Sequence, residues 1–292
     1  MSLKSDLQHL APSLTAAERR IATVVLADFP FSGLGTSQEL AEKAKVSAPS
    51  ITRFVSKLGF SGYQELQRQL IEELKESARS PVDLRFNQRP VMSKGFLADY
   101  SRRVGERIDD IASHVSEDEF DAFCALLGDA SRSVYVIGGR VSQGLAHLLA
   151  VSLQFLRADV QLMPADPEQW PEYIQRMRKR DVLVMIDFRR YQKSLERLAE
   201  LATAQAAPQI VLITDQWLSP ISRHAARTLA MPISVGTAWD SYASVMTLIE
   251  AAVVVVSERD WDATRRRIEA WDRLRMNPLD PATPLLLDEQ KQ

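Results

Sequence analysis

The chain has 292 residues, 46% of them apolar and 25% charged, with a formal net charge of −2. These values describe an ordinary globular protein long enough for roughly two domains, and they exclude both a disordered chain and an overall polycation. One cysteine, Cys124, excludes an intrachain disulfide framework. The start of the chain reads as neither a secretory signal nor a membrane span, so a cytoplasmic location is expected.

Residues 1–78 read as all-helical. Thr15 and Glu18 have capping-box spacing. Ala17, Ile21, Val24 and Val25 form the apolar stripe of a first helix that Pro30 ends. A second helix starts near Thr36 or Ser37 and runs to about Ala44. A third takes Ser47 as N-cap, carries Pro49 in its first turn, where a missing N–H costs little, and stops at Gly59. Ser61 to Ala78 forms a fourth.

The middle pair has the spacing of a helix-turn-helix. Ala41, a tight turn at Lys45-Val46 and Ile51 hold the expected positions, with Leu40, Val46, Phe54, Val55 and Leu58 completing a small core. If Lys45 needs a positive φ, a residue other than glycine costs about 1 kcal/mol there. The window from Lys43 to Gln64 contains no Asp or Glu but holds Lys43, Lys45, Arg53 and Lys57. Residues 1–80 as a whole carry 10 basic against 9 acidic side chains, and the remainder 26 against 29, so any nucleic-acid surface is a local patch. Neutralised phosphates release counterions, which gives such a patch its affinity for DNA. The candidate DNA-binding residues are Lys45, Ser47, Pro49, Ser50, Thr52, Arg53 and Lys57. Arg53 can take a guanine edge or a phosphate bidentately, whereas Lys57 reaches phosphate alone. The competing reading is a helical interface domain whose Arg53 and Lys57 are merely solvated.

Residues 79–92, with two prolines and no helical period, read as a linker. From 93 to 275, apolar β-type runs alternate with amphipathic helices. Strands are expected at Ser133–Gly138, Asp159–Met163, Asp181–Asp187, Gln209–Thr214 and Thr228–Met231. Helices are expected at Ser142–Leu156, Pro167–Lys179, Gln192–Ala206, Pro220–Ala225 and Tyr242–Ser257. This alternation implies a five-stranded parallel sheet with right-handed crossovers and ligands at the carboxyl ends of its strands. A proline-punctuated tail occupies residues 276–292.

The segments LTAAERRIA, ELAEKAKVS and ITRFVSKLGFSGYQEL, with Arg53-Phe54 and the Leu58–Tyr63 run, resemble the N-terminal domain of the RpiR/MurR transcription regulators. The resemblance extends from about residue 4 to residue 258. It implies a helix-turn-helix domain followed by a SIS domain, a flavodoxin-like αβα sandwich that binds phosphosugars and forms dimers or tetramers. It also implies an operator DNA partner. Val134–Ser142 is similar to the family's first strand and its Gly-x-Gly-x-Ser loop, with Gly138 and Ser142 in place and Arg140 where the second glycine belongs. Where the family has a Ser-x-Ser-Gly phosphate loop, this chain has Asp187-Phe188-Arg189-Arg190. Asp240-Ser241 stands where relatives face their effector. The implied effector-binding set is Gly138, Arg140, Ser142, Asp187, Arg189, Arg190, Asp240 and Ser241. Guanidinium groups in place of a hydroxyl loop suit an anionic or polyol effector, whether phosphosugar, sugar acid or another anion. An alternative is an internal salt-bridge cluster in a pocket without a ligand.

The remaining chemistry-bearing residues read blandly. His9, His114, His147 and His224 lack ligand spacing, and no metal or cofactor is expected. Ser142 is not in a nucleophile elbow. Arg265, Arg266, Arg267, Arg273 and Arg275 share a helix with Trp261, Ile268 and Trp271, a solvated face plus an oligomer contact. The apolar run at 242–256 is buried in the core or between subunits. The leading expectation is a ligand-responsive, homo-oligomeric DNA-binding regulator and not an enzyme. A SIS-fold sugar-phosphate isomerase and a SIS assembly module are the alternatives.

Overall fold

A computed structural model describes residues 13–27, 31–78 and 94–275, with single positions 3, 7, 10, 82 and 85. The Pro30 helix stop, the tail at 276–292 and, apart from Val82 and Arg85, the linker at 79–92 lie outside the described residues.

Among the described residues four helices stand out in the N-terminal unit: α1 (Ala16–Ala27), α2 (Ser37–Ala44), α3 (Ala48–Lys57) and α4 (Tyr63–Ala78). The Thr15–Glu18 capping box forms as expected, and a second one joins Thr36 to Glu39 at the start of α2. Ile21, Val25, Leu40, Ala44, Ile51, Phe54, Val55, Leu66 and Leu70 make one core, each at most 3% exposed. Fully burying a large apolar side chain contributes about 1.5–3 kcal/mol, so this core alone can hold the unit together. On α1 the stripe is rotated from the expected one. Ala22 is buried, while Ala17 and Val24 are half-buried. Lys45 caps α2 in the left-handed region at φ 51°, so the glycine-like turn is built from lysine. Ser47 holds the N-cap position of α3 without a side-chain capping bond; its Oγ pairs with Ser50 Oγ instead.

The second unit begins with α5 (Phe96–Asp109), α6 (Ile111–His114) and α7 (Glu117–Gly128). Five parallel strands follow: β1 (Val134–Gly138), β2 (Val160–Leu162), β3 (Val182–Ile186), β4 (Gln209–Asp215) and β5 (Arg227–Met231). Their order is β2-β1-β3-β4-β5. The crossover helices are α8 (Gln143–Leu156), α9 (Trp170–Arg176) and α10 (Lys193–Gln205), and α11 (Ala243–Arg259) and α12 (Trp261–Arg275) are the last elements of the described residues. The expected helix at 167–179 is a 3-10 turn at Pro167–Gln169 followed by the shorter α9, and Pro220–Arg223 is also a 3-10 turn. Prolines at their first positions fix φ and remove donors, which suits short turns.

Every residue of β1 and β3 is buried, as a strand covered on both faces requires. Alternate side chains divide between two cores. Val134, Val136, Val184, Val211 and Ile213 pack against α7, α8 and α11. Tyr135, Ile137, Leu183, Met185 and Leu212 pack against α9 and α10. Cys124 is buried on α7, as expected of a core residue, and burial pushes its thiol pKa up to about 11. Leu218, in the turn after β4, belongs to the helical unit's core, with Ala230 of β5 packed beside it. Among the described residues no helix is long and apolar enough to cross a membrane.

Candidate functional site

Two regions carry candidate chemistry. On α3 the apolar stripe turns Ile51, Phe54 and Val55 inward and leaves Ala48, Pro49, Thr52, Arg53, Ser56 and Lys57 exposed. Lys45 and Ser47 are exposed in the preceding turn. Lys43, Lys45 and Arg53 have no ion-pair partner among the described residues. Arg53 bonds to Ser50 Oγ at 3.3 Å, which orients the guanidinium without neutralising it.

Two residues of the expected DNA-binding set sit differently. Ser50 is 9% exposed, and its hydroxyl bridges Ser47 and Arg53. It lies on the flank of the buried stripe, so it braces the surface from below. Lys57 Nζ pairs with Glu18 at 2.9 Å and with the Ser13 carbonyl at 2.7 Å. That ammonium ties the end of α3 to the start of α1. Its pull, with the backbone bond from Thr15 as the larger cause, holds the Glu18 carboxyl below its ordinary pKa.

The second region is a cavity of about 400 Å³ at the carboxyl ends of β1 and β3. The sheet reverses its order between these strands, the place where open α/β sheets bind ligands. Gly138, Gly139, Arg140, Val141 and Ser142 form the first loop. A Cβ at Gly138 would come within 2.3 Å of the Ser142 carbonyl oxygen, so the loop closes only over glycine. Ser142 is 4% exposed; its hydroxyl accepts from Gly139 N–H at 2.8 Å and donates to the Ile186 carbonyl at 2.6 Å. It staples β1 to β3 and is not a free donor to the cavity.

Asp187 ends the third strand's loop at 2% exposure. It accepts the Ser219 hydroxyl at 2.6 Å and has no ion-pair partner among the described residues. Burial pushes its pKa up to about 7, partly opposed by Ser219. The alternative reading, a salt-bridge cluster of Asp187 with the arginines, therefore does not form around Asp187 among the described residues. Arg189 instead grips Asp240 with Nε at 2.6 Å and with Nη2, and both side chains are nearly buried. Its guanidinium also stacks 5.1 Å from the Trp217 ring centroid. Asp240 is thus held by protein. Ser241 is nearly buried, receives the Ala243 N–H, and does not line the cavity. Of the three arginines, Arg140 and Arg190 are exposed and have no ion-pair partner among the described residues. Arg190 adopts φ 67°.

Sequence reasoning passed over seven lining residues: Gly139, Val141, Ala238 and, with larger side chains, Phe188, Gln192, Trp239 and Tyr242. Phe188 and Tyr242 stand 5.1 Å apart, centroid to centroid, and Trp239 is 73% exposed. The one signal for Trp239 was its place next to Asp240. Asp215, fully buried at the end of β4, was also missed. It accepts from Tyr191 Oη at 2.7 Å, from Trp217 N–H at 3.0 Å and from Arg189 N–H. Burial raises its pKa to about 6 against these donors. Among the described residues no group of three or more His, Cys, Asp or Glu could hold a metal ion.

Residues 1–77 match the family model for the helix-turn-helix domain of the rpiR family, and residues 127–255 match that for the SIS domain. The transcriptional regulator HexR of Pseudomonas aeruginosa is 35% identical over 77 residues, 26% of this chain and 27% of that protein. HexR of Escherichia coli K12 is 25% identical over 263 residues, 87% of this chain and 83% of that protein. The sugar isomerase domain of an RpiR transcription factor from Sphaerobacter thermophilus superposes with a TM-score of 0.56 at 15% identity, covering 61% of this chain and 99% of that one. Vibrio vulnificus NanR, complexed with ManNAc-6P, gives 0.53 at 15% identity over 94% of this chain and 98% of that one.

Proposed function

The chain belongs to the RpiR family of transcription regulators, a helix-turn-helix joined to a SIS domain, and from that premise we propose that it is controlled by a sugar phosphate bound in the cavity at Arg140 and Arg190. It is a DNA-binding regulator. Two free guanidiniums at the mouth of a 400 Å³ cavity are the observation that carries the effector class. The volume is in the range of small-molecule sites. Guanidinium forks match phosphate bidentately, the open Trp239 face offers a stacking surface for a sugar ring, and Gln192 supplies a hydroxyl partner. NanR, of the same fold, was solved with a phosphorylated amino sugar, in line with this class.

On this reading Lys45, Thr52 and Arg53 meet DNA directly, with Ser47 and Pro49 at the start of α3 and Ser50 bracing Arg53. Lys57 acts through the α1–α3 contact. The division is that of a DNA-binding domain at 1–78, a linker at 79–92 and an effector and assembly domain at 93–275. Catalysis of isomerisation is not part of the proposal. Asp187 has a pKa suited to a base, yet its buried oxygens are occupied by Ser219 and Gln192. The protein works in the cytoplasm as a homo-oligomer. The Phe155–Trp271 pair, exposed on α8 and α12, is a candidate seam.

Thermal unfolding of the full chain with sugar 6-phosphates, sugar acids and inorganic phosphate tests the effector. A ligand at 100 times its Kd stabilises by about 2.7 kcal/mol. Stabilisation by a sugar phosphate that disappears in an Arg140→Ala/Arg190→Ala variant supports the assignment. A response to no sugar phosphate at millimolar concentration overturns it.

A further inference from the structure

The cavity and the helix-turn-helix are joined by a short, continuous series of contacts. Arg189 lines the cavity, and Asp240 holds its guanidinium from one side. On another side it stacks over Trp217. The carboxylate of Asp215 ties both loops at once, accepting the backbone N–H of Arg189 and that of Trp217. Ser219 adds a second tie by donating to Asp187. The 187–191 loop and the 215–219 turn are therefore tied to each other.

The next residue after Trp217 is Leu218. Its backbone lies at φ 65°, a region that leucine rarely adopts, and its N–H is held by the Asp215 carbonyl at 3.1 Å. Its side chain, 5% exposed, is buried in the core of the DNA-reading unit with Leu3 and Leu7. A strained backbone persists only where its surroundings over-determine it, and such positions cluster at switch regions. Here the determinants are the Asp215 network on one side and the helical core on the other.

We propose that Leu218 is the coupling contact of this regulator: an anion in the cavity competes with Asp240 for Arg189, and the shift of Arg189 passes through Trp217 and Leu218 into the helix-turn-helix core. This rests on the regulator reading above and adds the route by which the cavity acts. A phosphate that takes the Nε–Nη2 edge of Arg189 must displace Asp240, because Nε carries a single N–H. A ligand that takes Arg189 frees Asp240 and moves the cation over Trp217. A two-state element biased from both ends in this way is what coupling between two sites requires.

A double-mutant cycle tests the route without a known effector. Asp240→Asn keeps the shape and weakens the hold on Arg189. Leu218→Gly removes the side chain, and glycine suits the φ. The full-length chain first selects a duplex from a random-sequence library, and affinity for that duplex is then measured. Asp240→Asn should change the affinity by about fivefold or more, the usual span of allosteric coupling. In the Leu218→Gly background the same change should shrink to less than about twofold, while Leu218→Met should preserve it. Hydrogen exchange over residues 37–57 of the full chain reads the same cycle without DNA. An equal effect of Asp240→Asn in both backgrounds, or none in either, overturns the coupling role. Failure to select any duplex sinks the regulator reading instead, and the exchange experiment still decides the coupling.

Discussion

Replacing Asp187 by Asn should remove a pH dependence from the stability of the protein. The carboxyl is 2% exposed, has no ion-pair partner among the described residues and has its pKa raised from 3.8 to about 7, chiefly by burial. A raised carboxyl pKa means that the folded protein keeps a proton that the unfolded chain has lost. Stability from this group is complete below about pH 4, falls as pH rises, and is fully lost above about pH 7. At about 1.4 kcal/mol per pH unit, that interval amounts to roughly 4 kcal/mol. Asparagine keeps an oxygen for the Ser219 hydroxyl and has no charge to bury. Asp215, raised to about 6 by burial, contributes a slope common to both proteins. Urea unfolding between pH 4.5 and 8 measures the difference. The wild type should lose roughly 3–4 kcal/mol relative to Asp187→Asn across that range. Two curves parallel within about 0.5 kcal/mol would show that Asp187 ionises in the folded protein as it does in water, and the account of its burial would fail.

Arg53→Ala should weaken binding to a selected duplex by about 1–3 kcal/mol, read by fluorescence anisotropy; if the contact is to phosphate, the salt slope also falls by about one. Ser50→Ala should weaken it less, since Ser50 acts on DNA only through Arg53. Glu18→Ala, which frees Lys57 from a partly exposed ion pair, should cost about 0.2–1 kcal/mol in urea unfolding. Gly138→Ala places a Cβ 2.3 Å from a backbone oxygen and should cost about 1–3 kcal/mol, whereas Gly139→Ala, at 3.3 Å from side-chain atoms that can yield, should cost under about 1 kcal/mol. Lys45→Gly should stabilise the helical unit by up to about 1 kcal/mol, because glycine reaches φ 51° without strain.

What the sequence disclosed and what it withheld divide along the distance between partners. The cap at Thr15, the helix start near Thr36, the turn at Lys45 and the stop at Gly59 depend on residues three to five positions away, so local pattern was enough to place them. The strands were legible because a sheet covered on both faces demands runs such as Val182–Ile186, all buried. Phase along α3 was legible to within one residue: Ile51, Phe54 and Val55 were assigned inward correctly, but Ser50, beside that stripe, was not. The charges were the hard part. Lys57 meets Glu18 across 39 positions, Ser142 meets Ile186 across 44, and Arg189 meets Asp240 across 51. No periodicity encodes such pairings, because they arise only when the folded sheet brings its loops to one edge. Three arginines and two carboxylates thus look like an open anion site in the sequence. In the folded protein one arginine is neutralised, one buried carboxyl is held by the Ser219 hydroxyl with its pKa near 7, and Asp215 is locked under two loops. Among the described residues the cavity therefore presents Arg140 and Arg190 as cations without an ion-pair partner, and the third arginine, Arg189, faces the helix-turn-helix through Trp217 and Leu218.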